Sequence, residues 1–206
     1  VLSFRGHAYS RAGVAAFTTS TGYGIAKYDN PEELSVSDRN NIGYQYTDCP
    51  LYWISVIYLN FAEAKAEMGS LTQDDLNNSI NKLQARAGLP AMTTTPDADP
   101  ANNMGVSNLI WEIRRCRRCE LIMDNWYRYW DLIRWHQLDK LDSTKYPNTM
   151  LGANVSNVPD CEEATKNGYI DASDAQIRTY EAKHYFYPIP TTQLTLNKNM
   201  KQNPGW

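Results

Sequence analysis

Residues 107–141, SNLIWEIRRCRRCELIMDNWYRYWDLIRWHQLDKL, restrict this chain's fold more than any other stretch. A solvent-facing helix segregates charge from apolar residues, yet Arg114, Arg115, Arg117 and Arg118 are interleaved here with Ile113, Leu121, Ile122 and Met123. Such a mixture requires ion pairs that are at least half-buried. With Ser107 as the cap, Leu109, Ile113, Cys116, Glu120 and Met123 follow at helical steps, which places an acid on the apolar stripe. Glu120 lies three residues from Arg117, its expected partner on the same helix. A second helix then brings Arg128, Asp131 and Arg134 at intervals of three. Arg117, Arg118, Glu120, Arg128, Asp131 and Arg134 are therefore expected to form a structural charge network. No nucleophile or general base accompanies them, so the cluster does not read as catalytic.

Six further segments set the outline. Residues 50–68 form a helix whose expected apolar face is Ile54, Ile57, Tyr58, Phe61, Ala64 and Met68, with Gly69 as its stop. Ala62 and Ala66, four apart, let another helix approach closely. Thr72 caps a helix over 72–87 whose apolar face is Leu76, Ile80, Leu83 and Ala87, ended by Gly88 and Pro90. The two helices together approach the 34 residues of a tetratricopeptide unit, without its strict consensus. The end, YFYPIPTTQLTLNKNMKQNPGW, is locked into an extended path by Pro188 and Pro190, so Tyr185, Phe186, Tyr187 and Ile189 are expected to be buried. A brief helix then begins at Thr191 or Thr192. Residues 1–50 read as irregular, with a short strand near Tyr23 and Ile25. Residues 91–105 and 142–183 read as polar connections, the latter with a short helix over 172–180.

Composition excludes several functions. The chain has 206 residues, 42% of them hydrophobic, and a formal charge of −3; with no basic cluster outside 114–118, nucleic acid is not an expected partner. Cys116 and Cys119 form a C-x-x-C on a helix with no second pair, and His7, His136 and His184 are scattered, so no metal site closes. Spacing leaves a Cys49–Cys161 disulfide open. Gly22-Tyr23-Gly24 lacks the third glycine of a dinucleotide loop. Asp97-Ala98-Asp99 lacks the glycine and glutamate of a calcium loop. The least charged stretch, 50–62, is too short to cross a bilayer. No cofactor is implied. Val1 follows no methionine or leader, which reads as a chain that begins within a longer protein.

Motifs in order along the chain resemble the C-terminal part of the SusD/RagB family, the glycan-capturing surface lipoproteins of Bacteroidota. GYGIAKY at 22–28, LNFAEAKAEMG at 59–69 and INKLQARAGLP at 80–90 are similar to family segments. So is the run of Arg117, Arg118, Glu120, Leu121, Arg128, Asp131, Leu132, Arg134 and Trp135. The terminal PIPTTQLTLNKNMKQNPGW follows the family pattern with Gln193, Met200 and Trp206 as departures. Two more departures fall at the centre: Cys116 replaces an acid, and Asp124-Asn125-Trp126-Tyr127 replaces a Glu-Gly turn with one extra residue.

The resemblance implies a mainly α fold of tetratricopeptide-like helical hairpins with long irregular loops. It also implies a loop-rich segment over 1–50, continuing from an N-terminal half, and a helical region over 51–206. The implied function is non-catalytic glycan binding at the outer-membrane surface, with a lipid anchor on a part outside this sequence. Captured oligosaccharide would pass to a SusC-like, TonB-dependent transporter. Fourteen tyrosines and six tryptophans fit sugar stacking, but fit a helical core or a protein interface as well. The candidate stacking residues are Tyr9, Tyr23, Tyr44, Tyr46 and Trp53. Two rivals stand beside this reading: a tetratricopeptide-like peptide-binding scaffold, and a helical glycoside hydrolase with two carboxylates about 5 to 9.5 Å apart.

Overall fold

The computed structural model describes residues 2–3, 21–25, 51–157, 165–173 and 176–206. The fold is mainly helical. Contacts divide it into two compact units, residues 48–131 and residues 1–47 with 132–206.

The 48–131 unit holds α1 (Ile54–Glu67), α2 (Gln73–Asn77), α3 (Ile80–Arg86), α4 (Asn108–Glu120) and most of α5 (Tyr127–Arg134), within which the division falls. Its core joins Leu59 and Ala62 of α1, Leu76 of α2, Ile80 and Leu83 of α3, and Ile113 and Cys116 of α4, with Met92 and Leu121. Local chemistry sets the ends of these helices. Ser107 Oγ accepts from Ile110 N at 3.3 Å. Thr72 and Asp75 form a reciprocal capping box. At Gly69 (φ +66°) the Ser70 amide reaches back to Lys65 O, and at Gly88 (φ +68°) the Leu89 amide reaches back to Gln84 O, both at 2.9 Å. That bond satisfies a last-turn carbonyl, and the left-handed residue it needs is easiest for glycine.

Two expectations here are corrected. The helix expected over 72–87 is broken at Asn78 and Ser79, because Asn78 Nδ2 donates to Asp74 O (2.9 Å) and Ser79 Oγ to Asp75 O (2.6 Å). These side chains compete with the backbone ladder. The inward face of α1 is not Ile54, Ile57, Phe61 and Met68, which are 61%, 60%, 43% and 69% exposed; Ser55, Leu59, Ala62 and Glu63 are buried instead. Both stripes have helical spacing, so periodicity alone does not choose. What chooses is Glu63: a buried carboxylate must meet a cation, and its oxygen lies 3.6 Å from Arg114 Nε of α4.

The second unit carries two small sheets. β1 (Leu2–Ser3) pairs antiparallel with β2 (Gly24–Ile25), in register Leu2↔Ile25. β3 (Leu151–Asn154), β4 (Thr165–Lys166) and β5 (Tyr169–Asp171) form an antiparallel sheet in the order β3-β5-β4. The 142–183 stretch, expected to be loop with a short helix over 172–180, thus contains this sheet, and no helix occurs among its described residues 176–180. A two-residue turn, Asn167 (φ +54°) and Gly168 (φ +80°), joins β4 to β5; positive φ at both central positions matches strand twist and favours Asn-Gly. Ala153 and Ile170 are buried, and Ala153 N donates to Thr21 O at 2.8 Å. The approach leaves no room for side chains: a Cβ on Gly152 would lie 2.3 Å from Thr21 O.

The tail closes on itself. Gln202 donates to Ile189 O (3.0 Å) and accepts from its amide (2.8 Å), Asn203 Nδ2 donates to Tyr187 O (2.6 Å), and the Trp206 indole donates to Phe186 O (2.9 Å). The Q-N-P-G-W end is thus the clamp that holds the Y-P-I-P path. A short helix, α6 (Thr191–Leu196), lies between them. Phe186 and Tyr187 are 57% and 66% exposed, against the expectation of burial, because backbone clamping, and not side-chain packing, holds this path.

Asp142 organises the loops of this unit. It is buried, and its carboxylate accepts from the Thr144 hydroxyl and amide, the Lys145 amide and the Tyr180 amide. The Thr144 hydroxyl above all, with the amides, pulls its pKa down to about 2. A carboxylate depressed on folding contributes stability that is complete above its unfolded value, about 3.9, and lost as pH falls through the folded one. Protection of the Thr144 and Tyr180 amides from exchange, relative to the unfolded rate at each pH, is therefore expected to fall between pH 4 and pH 2. In Asp142→Asn that acid step should vanish; its persistence would assign the step to another carboxylate.

Candidate functional site

In the 48–131 unit, each guanidinium of α4 that is buried meets an acid from another segment. Arg117 and Asp131 are both about 95% buried as side chains, with Nε at 2.9 and 2.7 Å from the two carboxylate oxygens. Arg117 also donates through Nη1 to Asn60 Oδ1 of α1 at 2.8 Å and lies over the Tyr127 ring. Arg114 reaches Glu63 and Glu67 of α1. Glu120 is not the partner of Arg117, as its spacing predicts, but takes two bonds from Arg86 of α3, at 2.8 and 2.6 Å. The pairing within the helix yields because a partner across two segments lets both carboxylates, Asp131 and Glu120, find a fork of their own.

The remaining members are placed differently. Arg118 is exposed. Arg128 is half-buried, and burial first, then the like charge of Arg118, lowers its pKa from the usual arginine value. Arg134 lies beyond the unit boundary, exposed, with its guanidinium 4.6 Å from the centre of the Trp135 ring. Burial, with Glu120 adding to it, pushes the Cys116 thiol up to about 12, so it stays protonated and is a poor metal ligand. Among the described residues no three His, Cys, Asp or Glu side chains converge as a metal site, and no helix is long and apolar enough to cross a membrane. Asp99 of the 97–99 acids is committed to the Trp111 indole, 2.8 Å away, and to the Ala101 amide.

Of the candidate stacking residues, Tyr9, Tyr44 and Tyr46 lie outside the described residues, as do Cys49 and Cys161. Tyr23 is 40% exposed, and Trp53 is half-buried where it opens α1. Among the described residues of the 48–131 unit the most open aromatics are others: Tyr52 at 89%, Trp126 at 81% and Trp130 at 53%. Asn125 Nδ2 donates to Leu51 O at 3.3 Å, which ties the turn after α4 to the segment before α1, so the residues that precede Tyr52 and Trp126 in the chain are in contact.

That turn is strained. Met123, Asn125 and Trp126 have φ of +64°, +38° and +58°, a region that costs of order 1 to 3 kcal/mol for residues with a Cβ. Buried Asp124 anchors it, its amide donating to Leu121 O (3.2 Å) and its carbonyl accepting from Tyr127 N (3.0 Å). A rigid turn that holds an indole out into solvent offers a flat apolar plane at little entropic cost, the element a sugar ring packs against. The extra residue at 124–127 is the sequence's sign of this turn, whereas the aromatic pattern points to Tyr9, Tyr23, Tyr44, Tyr46 and Trp53.

The 48–131 unit is thus a helical scaffold of paired buried charges that carries open aromatic planes. Comparison with known proteins places the chain in a family. The sequence model of the SusD family matches residues 6–206, and the chain belongs to that family. A SusD-like protein from Bacteroides fragilis NCTC 9343 is similar in structure, with a TM-score of 0.51 and 25% sequence identity over 74% of this chain. The chain spans about 25% of the length of that protein. Among curated proteins none matches.

Proposed function

We propose that this chain is part of a non-catalytic protein of the outer-membrane surface, lipid-anchored through the larger protein. It binds glycans and delivers oligosaccharides to a SusC-like, TonB-dependent transporter. Membership of the SusD family over residues 6–206 carries this reading, and the exposed planes of Tyr52 and Trp126 support it. Pyranose rings present C–H faces to such planes while nearby polar groups read their hydroxyls. A binding role is supported further by the acids of the helical unit, since the mostly buried Asp131, Glu120 and Glu63, and the exposed Glu67, have guanidinium partners. The two carboxylates of a glycosidase must stay available as acid and base.

Calorimetry of the chain with a panel of oligosaccharides and peptides tests the proposal. The expected result is oligosaccharide binding without turnover, weakened about tenfold or more by Trp126→Ala, as for a central aromatic contact worth roughly 2 kcal/mol. Peptide binding with no glycan response would overturn it in favour of a peptide scaffold. Hydrolysis abolished by replacing one carboxylate would overturn it in favour of an enzyme.

A further inference from the structure

The 1–47, 132–206 unit contains a cleft of about 190 Å³ that Tyr52 and Trp126 do not line. One face of the β3-β5-β4 sheet forms its floor. Leu151 lies opposite Asp171, and Lys166 opposite Tyr169; alternation along β5 puts Tyr169 and Asp171 on one face and Ile170, 1% exposed, on the other. Leu151, Lys166 and Asp171 all line the cleft. Ser143, Thr144, Pro147 and Met150 line it from one segment and Ser173, Gln176 and Ile177 from another, and Ser143 and Arg178 exchange three hydrogen bonds of 2.9 to 3.2 Å beside it.

The state of the lining groups specifies a ligand. The hydroxyl protons of Thr144 and Ser173 are already donated within the protein, to Asp142 Oδ1 and Asp171 Oδ1, each at 2.5 Å. A hydroxyl that donates inward keeps its acceptor lone pairs for a visitor. Lone pairs therefore dominate the polar side, where Lys166 and the Gln176 amide add donors and the two charged residues, Lys166 and Asp171, balance. Pro147, Met150, Leu151 and Ile177 supply the aliphatic part of the lining. The complement is a small neutral molecule with several hydroxyl donors and one C–H face. The cleft, at about 190 Å³, lies below the roughly 300 to 1,000 Å³ of drug-sized ligand sites, a scale that suits one ring within it.

We propose that this cleft holds a single neutral sugar ring, the end residue of a bound glycan. The assignment rests on the glycan reading above and adds a specificity to it: recognition of a chain end, apart from stacking along the chain. Titration of the isotopically labelled chain with free glucose, galactose, mannose and glucuronate, and with neutral oligosaccharides of the same hexoses, followed by amide shifts, tests it. At least one neutral hexose is expected to shift the amides of residues 166–177, and Gln176→Ala and Ser173→Ala should each weaken it roughly two- to tenfold, the worth of one hydrogen bond. Gln176 is exposed, so its replacement leaves the fold intact. Oligosaccharide shifts confined to Tyr52 and Trp126 would overturn the cleft and keep the glycan reading. Glucuronate binding more tightly than every neutral hexose would overturn the neutral-ring assignment. No saccharide shift anywhere would overturn both.

Discussion

Replacing Arg117 by alanine is expected to lower stability by about 3 to 5 kcal/mol, because it leaves the Asp131 carboxylate buried without its cation. Both side chains are 5% exposed, and Nε lies within 2.9 Å of each carboxylate oxygen. Asp131→Ala should cost a similar amount for the mirror reason, and the two losses should not add: the double variant Arg117→Met, Asp131→Leu removes both charges and should recover most of the stability. Glu120→Ala, by contrast, breaks a pair whose Arg86 side chain is 60% exposed, and such pairs are worth about 0 to 1 kcal/mol. Urea unfolding of the four variants measures all of this. If Arg117→Ala moved the midpoint no more than Glu120→Ala does, the pair would be solvated and the scaffold argument would fail.

Leu59→Ala is expected to cost about 2 to 5 kcal/mol, the range for emptying a packed aliphatic site. Leu59 is 0% exposed and belongs to the core that joins α1 to α2, α3 and α4. Ile57→Ala, two residues away on the same helix, removes a side chain that is 60% exposed, and should change stability by no more than about 0.5 kcal/mol. The contrast decides which of two equally spaced stripes faces the core. Equal losses would mean that α1 is buried on both sides, and a larger loss at Ile57 would mean that the inward face was assigned backwards.

These two helices also show what a sequence reading can resolve. Caps and stops at Ser107, Thr72, Gly69 and Gly88 were legible because each depends on a few neighbouring residues. The Asn167-Gly168 hairpin was not legible within a stretch that reads as loop, because strands of two to four residues are too short to show alternation. The face of α1 was not legible, since an apolar period constrains a helix only to have some buried side. The partner of Arg117 was not either: Glu120 at three residues and Asp131 at fourteen are equally plausible cations' neighbours until the chain turns at 121–126 and carries α5 back beside α4.

For the site the balance is similar. That aromatics are abundant, and that the turn at 124–127 departs from its family, stood in the sequence; that Tyr52 and Trp126 are the open ones did not, because exposure belongs to no residue by itself. The cleft on the β3-β5-β4 sheet had no motif at all, since its lining comes from three segments spread over residues 143–177.

By itself, then, the sequence determined the mainly helical class, the family, and the requirement that arginines inside an apolar stretch find buried acids, because composition and local spacing fix propensity, caps and charge count. Only the tertiary structure decided which acid each arginine takes, which stripe of α1 turns inward and which rings face water. Those choices are settled by desolvation and packing among segments far apart in the chain, and local periodicity carries no information about them.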